Sequence, residues 1–268
     1  MKKIFALSAY LIASCTASHL ATSNAGNNAS YSTVAINGKI FATAYQQHAA
    51  EYRALCYQAY NIARLRIDEI VKESSDKPKV IVTDLDETAL NNSAFEAHQV
   101  LQGKDWEPAA WHDWSSRIAA DTVPGSVDFF KYAASKGLEI FYVTNRGEKE
   151  REFTVKNLQK FNFPFADDAH LYPLENTSSK ESRRQAIAAN HNIFMLLGDN
   201  LGDFSSFFDK KTVGERNDNV NALRNEFGNR FIVLPNPVYG DWENSLYNYD
   251  ALTPAQRDSV IKASLYSY

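Results

Sequence analysis

The chain has 268 residues, of which 44% are hydrophobic, and it carries a formal net charge of −4 at pH 7. That length suits one large domain or a core domain with a small accessory domain, and the apolar fraction is sufficient for a buried core. Because the chain is mildly acidic and has no basic clusters, it is a poor candidate for a nucleic-acid-binding protein.

Residues 1–15 have the pattern of a bacterial secretion signal. Two lysines precede the apolar stretch from Ile4 to Ala13, which is too short for a permanent membrane-spanning helix. The Ile-Ala-Ser-Cys tetrad that ends at Cys15 resembles a bacterial lipobox, in which the cysteine is acylated after cleavage. The alternative is ordinary signal cleavage further on, near Ala25. We favour lipidation of Cys15, because a cysteine at this spacing is otherwise unexplained.

Thr16 follows that cysteine. An aspartate at this position would resemble an inner-membrane retention signal, and this chain does not have one. For an organism with two membranes, this favours an anchor in the outer membrane. Residues 16–37 are rich in Ser, Asn, Ala and Thr and have no sustained apolar period, which predicts a flexible tether. The folded domain is therefore predicted to span residues 38–268.

A long amphipathic helix is predicted over residues 40–71. Apolar residues recur there at three- and four-residue steps and form one buried stripe. Cys56 lies on that stripe, where we interpret it as a small buried hydrophobe. If Cys15 carries lipid, Cys56 has no partner, so no intramolecular disulfide is expected. The sequence Asp76-Lys77-Pro78 then ends the helix.

Short apolar runs alternate with amphipathic segments in the rest of the chain. Strands are predicted at 80–82, 138–143, 170–172, 193–197 and 230–234, and helices near 124–136, 148–160, 178–190 and 217–227. This alternation predicts an α/β fold, with a mostly parallel sheet flanked by helices. We assign residues 78–88 and 123–250 to that core, and residues 38–75 and 89–122 to a small helical domain.

The residues that follow the predicted strands are the candidates for a functional site, because such sites lie at the carboxyl ends of parallel strands. They include four acids, a hydroxyl and a lysine: Asp84, Asp86, Thr144, Lys180, Asp199 and Asp203. Four neighbouring carboxylates repel one another, which would raise their pKa values. A hard divalent cation with oxygen ligands removes this objection, and it would also screen an incoming phosphate.

These residues carry a resemblance to a known family. Asp84-x-Asp-x-Thr88, Thr144, Lys180 and Gly198-Asp-x-x-x-Asp203 resemble the four motifs of the haloacid dehalogenase (HAD) superfamily. The wider similarity, over about residues 51–249, is to the class C bacterial acid phosphatases, the lipoprotein 5′-nucleotidase and acid phosphatase family. The resemblance implies a HAD-like Rossmannoid core with a small helical cap and a metal-dependent phosphomonoesterase activity.

The resemblance also implies a role for each residue. Asp84 would attack phosphorus and form an aspartyl-phosphate. Asp86 would protonate the leaving oxygen and then activate water, and the protonated form that it needs predicts an acidic pH optimum. Thr144, Asn145 and Lys180 would bind the phosphoryl group.

A single Mg²⁺ is the cofactor that the resemblance implies. An Asp84 carboxylate oxygen, the Asp86 backbone carbonyl and Asp199 would hold it, with water and phosphate completing the octahedron. Asp203 would support the site from outside the ligand set, although in some members of the family this residue could ligate the metal.

Aromatic residues raise the question of the substrate. Trp106 and Tyr239 are candidates for stacking on an aromatic leaving group. For the three tryptophans at 106, 111 and 114 we favour packing in a small core, since aromatic rings dominate such cores. The resemblance implies aryl phosphates and nucleoside 5′-monophosphates as substrates, including nicotinamide mononucleotide. A homodimer is compatible with the sequence, which does not determine the oligomeric state.

Two other functions were weighed. A sugar phosphomutase is disfavoured by secretion, because its substrates are mostly intracellular. A surface lipoprotein that binds haem or a nucleotide without turnover is disfavoured because no acid of the motifs is lost. The histidines are scattered, which does not support a haem or zinc site: His19, His48, His98, His112, His170 and His191.

Overall fold

The computed structural model describes residues 33–268. The predicted signal, Cys15 and residues 16–32 of the predicted tether lie outside this range. The last part of that predicted tether is helical, because Thr33 caps a helix that begins at Val34: its Oγ1 accepts a hydrogen bond from the Ile36 amide at 3.1 Å. Among the described residues, no helix is long and apolar enough to cross a membrane.

Two helices, α1 (Val34–His48) and α2 (Ala50–Ile70), occupy the stretch for which one helix was predicted. They are separated at Ala49, whose backbone is extended (φ −74°, ψ 126°). The apolar pattern continues through this residue, so the break has no local signal. The chain turns here because the two helices have different packing partners. The first packs on helices Ser93–Leu101 and Pro254–Ser264, and the second packs on helix Ser126–Ser135 and strand Phe231–Val233.

A five-stranded parallel sheet forms the centre of the domain, in the order β5-β4-β1-β6-β7. Its strands are β1 (Lys79–Thr83), β4 (Glu139–Gly147), β5 (Leu171–Leu174), β6 (Asn192–Gly198) and β7 (Phe231–Val233). A separate antiparallel pair joins β2 (Leu90–Asn91) to β3 (Asp121–Thr122). The mixed α/β fold with a mostly parallel sheet confirms the predicted fold class.

In the part of the chain that the structure describes, eight further α-helices surround the sheet: α3 (Ser93–Leu101), α4 (Pro108–Ser116), α5 (Ser126–Ser135), α6 (Arg151–Lys160), α7 (Glu181–Ala188), α8 (Val213–Ala222), α9 (Asp241–Leu246) and α10 (Pro254–Ser264). The helix predicted near 217–227 begins earlier. Thr212 and Glu215 form a capping box, in which each side chain accepts a hydrogen bond from the other residue's backbone amide. The Thr212–Glu215 spacing is visible in the sequence and would have predicted a helix start at this position, but the sequence analysis did not use it.

The sheet is covered on both faces, as its continuous apolar strands predict. Ile81 packs in a large cluster with residues of α2 and α5, and Cys56 is a fully buried member of it. Val80 and Val82 pack in a second cluster, which includes Ile187 of α7. The central strand β1 is therefore held rigidly from both sides, and so is the residue that follows it.

Candidate active site

Asp84 follows the central strand, and a pocket of about 550 Å³ opens at this point. Because β1 lies between β4 and β6, the residues that follow all three strands meet here. The Asp84 amide donates to the Leu197 carbonyl of β6 at 2.9 Å, which fixes the backbone of the site. The predicted site residues that line the pocket are Asp84, Asp86, Trp106, Asn145, Lys180, Asp199, Asp203 and Tyr239.

Lys180 joins two of the acids. It stands at the N-cap of α7, with its side chain almost fully buried, and its ammonium contacts Asp84 Oδ1 and lies 2.6 Å from Asp203 Oδ1. Burial alone would lower the pKa of Lys180, but Asp203 and Asp84 raise it above the ordinary lysine value. Lys180 is therefore a fixed positive charge beside the candidate nucleophile.

Three carboxylates form an oxygen-only cluster suited to a divalent cation. Asp84, Asp199 and Asp203 each place an oxygen within 4.8 Å of the others. Burial raises the pKa of Asp84 and of Asp199, and the neighbouring carboxylates raise both further. Asn236 holds Asp199 by donating to its Oδ2 at 2.7 Å. A hard cation would relieve this repulsion, and carboxylate oxygens are the ligands that Mg²⁺ prefers.

Asp203 reaches into the site because residue 198 is a glycine. A Cβ atom at Gly198 would lie 2.3 Å from Asp203 Oδ2, so no other residue fits without displacing that carboxylate. The same oxygen accepts a hydrogen bond from the Asn200 amide at 3.0 Å. Both Asp203 oxygens are thus held, one by Lys180 and one by the backbone.

Asp86 faces an arginine that the sequence analysis did not assign. Arg146 donates to both Asp86 oxygens, with distances of 2.7, 3.0 and 3.2 Å, and Asn92 donates to Asp86 Oδ1 at 2.8 Å. Arg146 is buried and lies two residues after Thr144 in β4. Since residues i and i+2 of a strand share a face, this spacing was a usable signal.

The predicted phosphate-binding residues at the end of β4 are placed differently from each other. Thr144 is fully buried and does not line the pocket; its Oγ1 accepts from the Arg146 amide at 3.0 Å, which leaves its hydroxyl proton to donate. Asn145 lines the pocket, donates to the Ser178 carbonyl at 3.1 Å and accepts from Arg183 at 2.8 Å. Buried Arg183 is another residue that sequence reasoning missed.

The preference for core packing is correct for Trp114 and wrong for Trp106, whereas Trp111 both lines the pocket and packs on buried Phe95, with ring centroids 5.2 Å apart. Trp114 packs against the main core and donates to Asn92 Oδ1 at 2.9 Å. Trp106 is 53% exposed and lines the pocket. Trp111 also lines it, with its ring 5.3 Å from the Arg146 guanidinium carbon. The loop before α4 and its first turn therefore contribute aromatic side chains to the pocket.

Tyr239 is fixed by a buried acid that the sequence analysis passed over. Its hydroxyl donates to Glu87 Oε2, and the Asn92 amide donates to Glu87 Oε1 at 2.7 Å. Burial and the adjacent Asp86 raise the pKa of Glu87 to about 8. Glu87 has a left-handed backbone (φ 60°), which turns its side chain inward directly after the candidate catalytic pair.

Comparison with known proteins shows the family to which this chain belongs. A family model described as HAD superfamily, subfamily IIIB (acid phosphatase), matches residues 1–242. The chain belongs to this family. The resemblance to class C acid phosphatases is thereby confirmed.

Individual relatives agree with the subfamily. Acid phosphatase 1 of Solanum lycopersicum is 23% identical, over 66% of this chain and 68% of that protein. The class C acid phosphatase of Bacillus anthracis has a TM-score of 0.84 and 39% identity, over 87% of this chain and 99% of that one. A second structure of the Bacillus anthracis enzyme, with tungstate bound, gives a TM-score of 0.84 and 38% identity, over 88% and 99%.

Proposed function

We propose that this acid phosphatase hydrolyses phosphomonoesters through an aspartyl-phosphate on Asp84. The observation that carries the proposal is the placement of Asp84. Its carboxylate is held by Lys180 at the end of the central strand, and Asp86 lines the same pocket two residues later. Nucleophile, fixed positive charge and second acid are thus brought together by the parallel sheet.

In the first half-reaction, an Asp84 carboxylate oxygen attacks phosphorus and the ester P–O bond breaks. Asp86, protonated, gives its proton to the departing oxygen, and the alcohol leaves. In the second half, Asp86 takes a proton from water, the water oxygen attacks phosphorus, and inorganic phosphate and free Asp84 are released. Lys180 holds the nucleophile and stabilises the negative charge on the phosphoryl oxygens.

We propose Mg²⁺ as the cofactor, held by an Asp84 oxygen, the Asp86 carbonyl and Asp199. When bound, it would neutralise charge on the phosphoryl oxygens. Asp203 is proposed as an outer support, because both of its oxygens are already engaged, by Lys180 and by the Asn200 amide. Asn236 would orient Asp199 in the same manner.

We propose that the leaving group is aromatic or carries an aromatic base, as in aryl phosphates, nucleoside 5′-monophosphates and nicotinamide mononucleotide. Trp106 and Tyr239 line the pocket, and stacking on such rings favours aromatic leaving groups. The tungstate in the Bacillus anthracis relative supports a tetrahedral oxyanion as the other half of the substrate.

The test is an assay of p-nitrophenyl phosphate and a panel of nucleoside monophosphates from acid to neutral pH. Each substrate is run with magnesium, with chelator and with Asp84→Asn. We expect metal-dependent hydrolysis that the variant loses. A folded, metal-loaded protein without turnover would contradict the proposal and favour the alternative, a binding lipoprotein on a phosphatase fold.

We further propose that the protein is secreted and anchored to the bacterial cell envelope through lipid on Cys15, in the outer membrane where two membranes exist. The support is the lipobox-like tetrad and the absence of aspartate at Thr16. Mass spectrometry of the native N-terminus tests this proposal, and an unmodified chain that starts beyond Cys15 would contradict it. The homodimer stays a prediction, which sedimentation of the purified protein would check.

A further inference from the structure

Glu96 is a buried carboxyl group that the catalytic scheme does not use. It lies on α3, is 7% exposed and lines the active-site pocket. Within residues 33–268, no hydrogen bond or salt bridge engages its carboxyl oxygens. Buried polar side chains are nearly always hydrogen-bonded, since an unpaired one keeps its full desolvation cost.

The cation whose charge acts on Glu96 is Lys39, and it is engaged by other acids. Lys39 of α1 forms ion pairs with Asp105 at 2.7 Å and with Glu243 at 3.6 Å. Burial raises the pKa of Glu96 to about 7, the charge of Lys39 opposes this rise, and Asp105 and Glu243 add to it. Lys39 therefore acts on Glu96 at a distance, and the carboxyl group remains available to a ligand.

Glu96 lines the same pocket as the aromatic residues Trp106 and Tyr239. It is close enough to Tyr239 and Lys39 for its charge to raise the pKa of both. These residues line one pocket with Trp106. A carboxyl group repels a phosphate, so the part of a substrate that Glu96 can contact is the leaving group.

We infer that Glu96 is a specificity-determining residue that accepts a hydrogen bond from an amino or amide group on the aromatic ring of the leaving group. This inference rests on the proposed function. It holds in either protonation state, because a neutral carboxylic acid keeps a carbonyl oxygen that accepts. A site with a buried acceptor discriminates strongly against an analogue without the donor.

The test compares pairs of substrates that differ only in the hydrogen-bond donor. The first pair is adenosine 5′-monophosphate and purine riboside 5′-monophosphate, and the second is 3-aminophenyl phosphate and phenyl phosphate. We expect the wild type to prefer the amino member by about tenfold or more in kcat/KM. Glu96→Met should abolish the preference and leave phenyl phosphate turnover within about twofold of wild type. Glu96→Gln, which keeps an acceptor, should retain most of the preference. The exposed Glu152→Met is the matched control and should change neither quantity.

Affinities of the products adenosine and purine riboside, measured by calorimetry, provide a readout that does not require turnover. A preference for adenosine that Glu96→Met removes supports the inference. An undiminished preference in Glu96→Met, or equal losses on both members of each pair, overturns it. Failure of the wild type to hydrolyse phenyl phosphate would instead count against the proposed function, and the calorimetry would still decide the role of Glu96.

Discussion

Arg146 binds the carboxylate of Asp86 through three hydrogen bonds, of 2.7, 3.0 and 3.2 Å. The Arg146 side chain is 2% exposed and that of Asp86 is 18% exposed, so the pair lies at the inner edge of the pocket. A planar guanidinium that contacts both carboxylate oxygens fixes their direction as well as their charge. The proton donor proposed for the leaving oxygen is thereby oriented before the substrate arrives.

The first prediction concerns this orientation. Arg146→Lys keeps the charge but loses the two-point contact, so proton donation to the leaving group should suffer. Alkyl phosphates need that proton more than p-nitrophenyl phosphate does. We expect kcat to fall by about 10²-fold for the alkyl esters but by only about tenfold for p-nitrophenyl phosphate. A plot of log kcat against leaving-group pKa measures the effect.

The exposed Arg117→Lys is the matched control for that plot and should reproduce the wild-type slope. An Arg146→Lys variant whose rate falls equally for all leaving groups would show that Arg146 is structural rather than positioning.

The second prediction concerns Lys180. Lys180→Met leaves Asp84 and Asp203 buried without their cation, so we expect a loss of about 3–5 kcal/mol in the free energy of unfolding at neutral pH. The loss should shrink in acid, where the carboxyl groups take up protons. Activity should fall by at least about 10²-fold. Urea titrations at both pH values check the first part. Lys131→Met, which alters an exposed lysine of α5, is the control and should leave stability unchanged. An equal loss in both variants would contradict the account.

The third prediction concerns stability and pH in metal-free protein. Burial raises the pKa of Glu87 to about 8 and of Glu96 to about 7, from 4.5. A carboxyl group whose pKa is higher in the folded state contributes stability below its unfolded pKa, and this is lost as pH rises through the folded value. The free energy of unfolding should therefore decrease between about pH 4.5 and 8.

Glu96→Met should remove up to roughly 3 kcal/mol of that decrease. This is the free energy that corresponds to a rise of one carboxyl pKa from 4.5 to about 7. Chemical unfolding across the pH series measures both slopes. Stability that rises steadily from acid to neutral pH in the metal-free wild type would be the opposite sign and would reject the argument.

The structure also shows which features a sequence determines locally. The strands and the acids that follow them were predicted because each motif combines an apolar run with the polar residues directly after it. The separation of α1 from α2 at Ala49 was not predicted, because it depends on the different elements against which the two helices pack. The engagement of Arg146 with Asp86 joins residues 60 positions apart. Among residues 33–268, the absence of a hydrogen bond or salt bridge to the Glu96 carboxyl group is likewise a property of the folded pocket, which the local pattern of α3 does not contain.

The fourth prediction concerns metal removal. A cation that binds only the folded protein stabilises it by mass action, by about 2.7 kcal/mol at a hundred times its dissociation constant. Adding Mg²⁺ to chelator-treated protein should therefore raise Tm, measured by differential scanning calorimetry. Asp199→Asn should abolish the rise, whereas Asp218→Asn, which alters an exposed acid of α8, should retain it. A rise of equal size in both variants would place the cation elsewhere.

The central claim is that Asp84 becomes phosphorylated during turnover. The direct measurement is rapid acid quenching of the metal-loaded enzyme with p-nitrophenyl phosphate, followed by peptide mass spectrometry. We predict a peptide containing Asp84 that carries one added phosphoryl group, absent in Asp84→Asn. An Asp84→Asn variant that keeps wild-type turnover, or a phosphoryl group found on another residue, would contradict the account.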